Sequence, residues 1–477
     1  MTTKKEYFRI TKHAKTYNHK TGTFTINIAY ETATQPTPRT TAVAEAFGLG
    51  TDQTQKHVVY DNLQIKIHPT DIIYITGDSG SGKSTLLKTI KKDLGKNAID
   101  TATIKPDPDK PIIETLGKDT SQALELLSKA GLNDAFLFLR QYKELSEGQK
   151  YRYKIAKLAE TQKQWWIADE FCSTLDRDTA KIVAYNLQKT ARQHHKAAIV
   201  ATTHTDLKQD LAPNTHIHKH FGKEITIKHY PNKPPTQCSL TRQMHIETGT
   251  YTDYKKLAAF HYRSSSCPPP RKIFTLKRKK ELSGVIVYSY PPPTAFGRSK
   301  IWKGNTQELQ NEISTISRVI LHPKYRTIGL GTKSVKETLL RAETPYVETI
   351  AVMAKYNPFF EKAGMQKIAE SQPSKNVLKN LEKLQTLGFN LDMLGNLSYN
   401  AEKIRQIGKP KLVTTLKELS HREASVRKRL IPSSKLYPDH SEFMEKIATL
   451  NEDELAKVLK RLMFMAQTKA YLFWKKA

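Results

Sequence analysis

The chain has 477 residues, enough for two or three domains with cores of their own. Lys and Arg number 77 against 46 Asp and Glu, a formal charge of +31, which favours a polyanionic partner, most simply DNA or RNA through its phosphates. Three cysteines at no metal-like spacing argue for a reducing, cytoplasmic setting, and no run approaches the roughly 18 apolar residues of a membrane span, so a membrane-spanning transporter and a secreted disulfide scaffold are both excluded as expectations.

Residues 1–56 mix strand-like runs, Phe24–Ala29 among them, with a Thr/Pro/Gln-rich link at Thr32–Thr41. From Val58, apolar and polar residues alternate, the chain turns at Pro69–Asp71, and Ile72–Ile75 reads as a buried strand. It breaks into G-x-x-x-x-G-K-S, with Gly77, Gly82, Lys83 and Ser84 in register, and Leu86, Leu87 and Ile90 then open a helix. Glycines in that place let the backbone through Asp78, Ser79, Gly80 and Ser81 wrap so that successive N–H groups, on to Thr85, face a phosphate at the positive end of the helix. Lys83 would reach the β- and γ-phosphates and the Ser84 hydroxyl would ligate Mg²⁺. This stretch predicts binding of a nucleoside triphosphate.

Four later motifs follow in order. Leu145–Gln149 reads L-S-E-G-Q and opens a helix whose start offers N–H groups, with Ser146, Gly148 and Gln149, to a phosphate. Trp165–Glu170 is an apolar strand ending in two carboxylates, Asp169 suited to Mg²⁺ and Glu170 to polarising a water. S-T-L-D ends at Asp176, and Ala198–His204 is a second buried strand ending in a histidine able to reach a γ-phosphate. Together these motifs resemble the ATP-binding cassette (ABC) family of ATPases, over about Val58 to Tyr230. The resemblance implies that Ser146 and Gly148 contact ATP held by another subunit, hence a homodimer through this domain. The interval from Lys83 to Leu145 is short for the family, and no glutamine stands between Thr101 and Lys110, where a Mg²⁺-sensing one is expected. Phe47 and Tyr60 are candidates for stacking on adenine.

A composition break, H-Y-P-N-K-P-P-T-Q, ends the first domain near Pro235. Downstream, a strand at Arg318–Leu321 leads into R-x-x-G-x-G, with Arg326, Gly329 and Gly331, and then a helix from Thr332 to Ala342. Backbone N–H groups at such a helix start form an anion cradle without the Lys-Ser pair that a triphosphate with Mg²⁺ wants. With the strand V-E-T-I-A-V-M-A and N-P-F-F-E-K-A-G-M beyond it, this order resembles the GNAT acyltransferase family. The resemblance implies acetyl-CoA, or another acyl-CoA, along Leu321, Arg326, Thr327, Ile328, Gly329, Leu330 and Gly331, with Asn357 and Phe360 at the thioester. Phe360 stands where many members carry a proton-donating tyrosine, and Tyr356 is a candidate substitute. No general base is evident, with Glu312 as one candidate. F-H-Y-R at Phe260–Arg263 and the P-P-P-T-A-F-G-R turn loosely resemble Mom-type relatives that modify a DNA base, which would turn His261, Tyr262 and Arg298 toward a substrate.

The tail reads as helices, at Val377–Leu387 and Asp453–Trp474, with a basic cluster at Arg422–Arg429. Positive charge is densest after residue 235. The expected architecture is α/β: an ABC-type ATPase domain at 1–235, a GNAT-like α+β domain at 236–372 and a basic helical region at 373–477. The expected function is ATP-hydrolysing acyl transfer to nucleic acid. The alternatives are transfer to a protein lysine, and a nucleic-acid clamp or repair ATPase whose GNAT-like domain only binds.

Overall fold

In the computed structural model the described residues are 8–18, 20–32, 35–50, 55–261, 267–352, 358–417, 424–431 and 439–476. Among the described residues the strands are, in chain order, β1 (Phe8–Asn18), β2 (Thr23–Thr32), β3 (Gln55–Lys66), β4 (Ile72–Gly77), β5 (Ala98–Asp100), β6 (Trp165–Ala168), β7 (Ala197–Ala201), β8 (Thr215–Lys219) and β9 (Ile225–His229), then β10 (Met244–Thr248), β11 (Pro270–Arg278), β12 (Glu281–Ser289), β13 (Ile313–Leu321), β14 (Tyr346–Ala351), β15 (Gln366–Ser371) and β16 (Lys469–Lys475). The chain divides into two compact units, one of Met1–Ser266, Ile273–Ile286 and Val319–Ser334, the other of Cys267–Lys272, Val287–Arg318 and Val335–Ala477. This division differs from the expected boundaries at 235 and 372, because β11, β12 and β13 each run from one unit into the other.

In the first unit, a six-stranded sheet has the order β5-β6-β7-β4-β8-β9, parallel except for the antiparallel edge strand β9. Its central strands are continuous apolar runs (Ile72–Ile75, Trp165–Ala168, Ala197–Ala201) and are buried on both faces, as a parallel sheet under helices requires. Helices Lys83–Leu94 and Arg177–Gln193 supply much of that cover through Leu86, Leu87 and Ile90 on the one, and Ala180, Val183, Ala184 and Leu187 on the other. An antiparallel sheet, β1-β2-β3, adds Phe24, Ile26, Val59 and Ile65 to the same core. The strand order changes direction around β4 and β7, so the loops after β4, β6 and β7 share the carboxyl edge where ligands bind in such sheets. The same unit holds the run β10-β11-β12-β13.

In the second unit, the strand order is β12-β13-β14-β16-β15. β13 and β14 are parallel, yet they pair only from Ile313 opposite Tyr346 to Thr315 opposite Glu348, although both strands run on. β16 inserts antiparallel between β14 and β15. The helical periodicity expected through Asp453–Trp474 therefore ends early: the helix is Glu452–Met465, and Lys469–Lys475 is a strand. Its residues Ala470–Phe473 are all buried, and the slot between two strands decides the conformation of a short apolar run that periodicity leaves ambiguous. Between β15 and β16, helices from Lys375–Thr386 to Glu452–Met465 pack around Leu384, Leu412, Leu416, Phe443, Ile447 and Leu459.

Candidate functional site

β4 delivers the chain into the glycine-rich turn, and helix Lys83–Leu94 leaves it. Gly77 has φ +143°, and a Cβ there would lie 2.0 Å from the Lys219 carbonyl oxygen; Gly82 has φ +102°, and its Cβ would lie 2.5 Å from Val59 Cγ1. Both positions exclude other residues, and the turn stays open at exposed Gly80. Lys83 Nζ donates to the carbonyls of Gly77 (2.8 Å) and Asp78 (2.6 Å), so the ammonium spans the loop from within. Burial pushes its pKa down, while the Asp169 and Asp78 carboxylates pull the other way. Ser81 is buried, and its hydroxyl oxygen has no hydrogen-bond partner among the described residues. An orphaned hydroxyl inside a ring of amides fits an anion in the loop, which is the environment a triphosphate requires.

Asp169 and Glu170 follow β6 at this edge. Glu170 is exposed and holds φ +48°, a left-handed conformation that a non-glycine residue keeps only where its surroundings impose it, and its amide donates to Asp169 Oδ1 at 3.0 Å. The Ser84 hydroxyl and the Asp169 carboxylate are hard oxygen donors of the kind Mg²⁺ takes, and Asp169 lies within electrostatic reach of Lys83. His204 is half-buried beyond β7, and its carbonyl accepts the Tyr74 hydroxyl of β4, which fixes the loop on the phosphate strand.

Ser146 caps helix Glu147–Glu160 reciprocally with Gln149: the Gln149 amide donates to Ser146 Oγ at 3.4 Å, and Gln149 Oε1 accepts the Ser146 amide at 3.0 Å. Ser146 is exposed, and its hydroxyl proton remains available to donate. A Cβ on Gly148 would lie 3.2 Å from Leu175, so this helix start packs on the S-T-L-D turn. Asp176 there caps helix Arg177–Gln193 and accepts Thr179 N at 3.2 Å. Burial opposes its ionisation, but hydrogen bonds from Thr179 and the Lys324 ammonium outweigh it and hold the carboxyl low.

Tyr60 is 2 % exposed, and its hydroxyl donates to the Gly82 carbonyl at 2.9 Å; it shapes the loop from beneath and does not face a base. Phe47 is 77 % exposed on the segment after helix Pro38–Ala46. Two features went unread in the sequence. The Tyr30 hydroxyl donates to Thr85 Oγ1 at 3.2 Å, and His216 Nε2 and His218 Nδ1 both lie 2.8 Å from Thr76 Oγ1, directly before Gly77. The alternation T-H-I-H-K-H at Thr215–His220 was the available signal for two histidines on one face of a strand.

The second predicted loop is more occupied than expected. Arg326 donates to the backbone carbonyls of Leu321 (3.1 Å), Asn133 (2.6 Å) and Phe260 (3.4 Å), so its guanidinium clasps three chain segments and has only part of its donor set left for an anion. Thr327 (φ +72°) accepts from Asn186 Nδ2 at 2.9 Å, and Ile328 and Leu330 are buried. The exposed main chain at Gly329, with nothing within 4 Å of where a side chain would begin, fits an anion cradle of backbone groups alone, with half-buried Gly331 behind it. Arg298, expected to face a substrate, is 5 % exposed. It holds both carboxylate oxygens of buried Glu348, at 2.9 and 2.7 Å, and Glu348 also accepts Tyr471 (2.8 Å) and Thr315 (2.9 Å); a buried charge needs this many partners. Phe360 is buried against Phe359 on helix Phe359–Lys362, and Glu312 ends a helix and accepts Trp302 Nε1 at 2.9 Å. His261 is half-buried and donates its amide to the Ala258 carbonyl. Tyr262, Tyr356 and Asn357 lie outside the described residues.

Comparison with known proteins places a family of ABC transporters on residues 60–173. The cytochrome c biogenesis ATP-binding export protein CcmA of Gluconobacter oxydans is 31% identical over 179 residues, covering 34% of this chain and 80% of that protein. CcmA of Nitrosomonas europaea is 26% identical over 186 residues, covering 32% and 84%. Among solved structures, the ADP- and phosphate-bound dimer of the ATP-binding cassette MJ0796 is similar at 18% identity with a TM-score of 0.31, covering 38% of this chain and 94% of that one.

Proposed function

The chain belongs to the ABC family of ATPases, and from that premise we propose that it is a cytoplasmic, homodimeric ATPase and acyltransferase that moves an acyl group from acyl-CoA, acetyl-CoA first, to an amine of a nucleic acid. In the ATPase half, the loop Gly77–Thr85 binds the phosphates, and Lys83 neutralises charge gathering on the β- and γ-oxygens. Ser84 and Asp169 would hold Mg²⁺, which when bound would supply Lewis-acid stabilisation of the phosphoryl oxygens. Glu170 accepts a proton from the attacking water, and His204 donates a hydrogen bond to the γ-phosphate. Ser146, exposed with a hydroxyl proton to give, completes the site of a second copy. Closure of the two copies on ATP then positions the acceptor for transfer.

One observation carries the acyltransferase half: β13 and β14 are parallel, and their pairing ends at Thr315–Glu348 while both strands continue. Strands that part in this way open a cleft for a ligand of extended shape, although the Ile316 carbonyl there accepts the Thr349 hydroxyl (2.9 Å) and the Ser317 carbonyl accepts Arg318 (2.7 Å). The loop that follows β13 opens a helix through Gly329 and Gly331, which supports a pyrophosphate held by main-chain N–H groups. The formal charge of +31 supports a nucleic-acid acceptor over a protein lysine. A second reading, a nucleic-acid clamp with a second domain that only binds, is favoured by phenylalanine at Phe360 and by the committed guanidinium of Arg326. Mass spectrometry of nucleosides from cells with and without the protein tests the proposal. An acylated nucleoside present only with the protein supports transfer, and identical nucleoside profiles together with nucleic-acid binding favour the clamp.

A further inference from the structure

Within the second unit, a cavity of about 650 Å³ opens among residues from both ends of the helical segment and from the strands that border it. Lys469 begins β16 opposite Ser371, the end of β15, and the next residue, Ala470, faces Ala351 at the carboxyl end of β14. The cavity therefore lies where β14 ends, the edge of a sheet at which ligands are bound in α/β folds.

Its lining combines three cations with two aromatic rings: Arg429, Arg461 and Lys469, with Phe296 and Phe464. Among the described residues, no carboxylate lines it. Local packing puts the cations there. Leu430 and Ile431 are buried in the helical core, which fixes the end of helix Ala424–Leu430 and turns neighbouring Arg429 outward. Arg461 donates to the Leu430 carbonyl at 2.7 Å and so stands beside it. Phe464 is 43 % exposed, one turn further along the helix that carries Arg461. Holding two arginines on one cavity wall with no carboxylate among its described lining residues costs electrostatic energy, which an anion would repay.

We propose that this cavity binds one or two nucleotides of a single-stranded nucleic acid, with phosphates on Arg429, Arg461 and Lys469 and an unstacked base against Phe464. This rests on the nucleic-acid reading above and names the acceptor's binding site within it. Cations that track a backbone beside aromatic faces are how proteins hold single strands, and the volume suits a nucleotide or two and excludes a duplex.

The test is fluorescence anisotropy of the full-length protein with a labelled 15-nucleotide single strand, as RNA and as DNA, across a salt series. Arg429→Ala should weaken binding and reduce the log–log salt slope by about 0.7, the share of one phosphate contact on a single strand. Phe464→Ala should weaken binding about tenfold with the slope unchanged, and Phe464→Tyr should restore it. Lys223→Ala, an exposed lysine on the turn between β8 and β9, should leave both unchanged. If the wild type binds the strand and both cavity variants match it, or if Lys223→Ala weakens binding as much as Arg429→Ala, the cavity is not the site and the nucleic-acid reading stands. If the wild type binds neither strand at low salt, that reading falls together with the cavity.

Discussion

The Lys324 ammonium stands 3.1 Å from Asp176 Oδ1 and 3.1 Å from Asp178 Oδ2, so one side chain grips both carboxylates at the start of helix Arg177–Gln193. Arg278 adds a bond to Asp178, and the Tyr325 hydroxyl lies 3.5 Å from the same oxygen. Lys324 precedes the Arg326–Gly331 loop by two residues, and Asp176 ends the S-T-L-D turn six residues after Glu170. The segment expected to serve acyl-CoA is thus anchored on the turn that follows Asp169 and Glu170. This is a physical link by which a nucleotide-dependent movement of that turn would reach the second loop.

Lys324→Met keeps most of the side chain's apolar stem and removes its charge. ATP affinity should stay as it is, while ATP turnover falls roughly tenfold, because small misplacements of a general base are costly. The stability loss should be about 1 kcal/mol, modest because the pair is partly exposed and Asp178 keeps Arg278. Steady-state ATPase assays beside nucleotide titration check this, and unchanged turnover would deny the link.

Glu170→Gln should slow ATP hydrolysis by about a hundredfold or more with nucleotide binding intact, the usual contribution of a general base. On that background ATP should hold the closed dimer, and adding Ser146→Arg should abolish it, as sedimentation with ATP would report. A dimer that survives Ser146→Arg contradicts a shared site.

Gly82→Ala places a methyl group 2.5 Å from Val59 Cγ1 at φ +102°. The strain, of order 1–3 kcal/mol, should lower the melting temperature and displace the loop that Tyr60 supports. Nucleotide affinity should fall with it, measured by calorimetric titration.

Acid should act through His216. Burial, with the positive charge of His218, Lys208 and Lys228 around it, lowers its pKa to about 4. The unfolded chain takes up that proton near its ordinary value of about 6.5, so between these two values the unfolded state binds more protons. Stability is then complete above about pH 6.5 and declines as pH falls toward 4. His216→Gln should flatten the dependence of melting temperature on pH in that window, and an unaltered slope would assign it elsewhere.

The nucleotide site was legible because its parts are short, contiguous and in fixed order: Gly77 to Thr85 carry their own geometry, and Asp169, Glu170 and His204 mark strand ends. Features made by distant residues were not. Arg298 reads as a free cation in a Pro-rich turn, and only the fold reveals Glu348, 50 residues on, as its partner. His216 and His218 meet Thr76 from 140 and 142 residues away. Lys469–Lys475 presents an apolar run too short to declare its period, and its conformation follows from β14 and β15 on either side.

Under the proposed function, ATP hydrolysis serves acyl transfer to a nucleic acid. Purified protein incubated with acetyl-CoA labelled in the acetyl group, cellular RNA or DNA, and ATP with Mg²⁺ tests it most directly. Label should enter acid-insoluble material, be released by nuclease and not by protease, and drop sharply with Glu170→Gln or without ATP. Label that only protease releases, or none under any of these conditions, would contradict it.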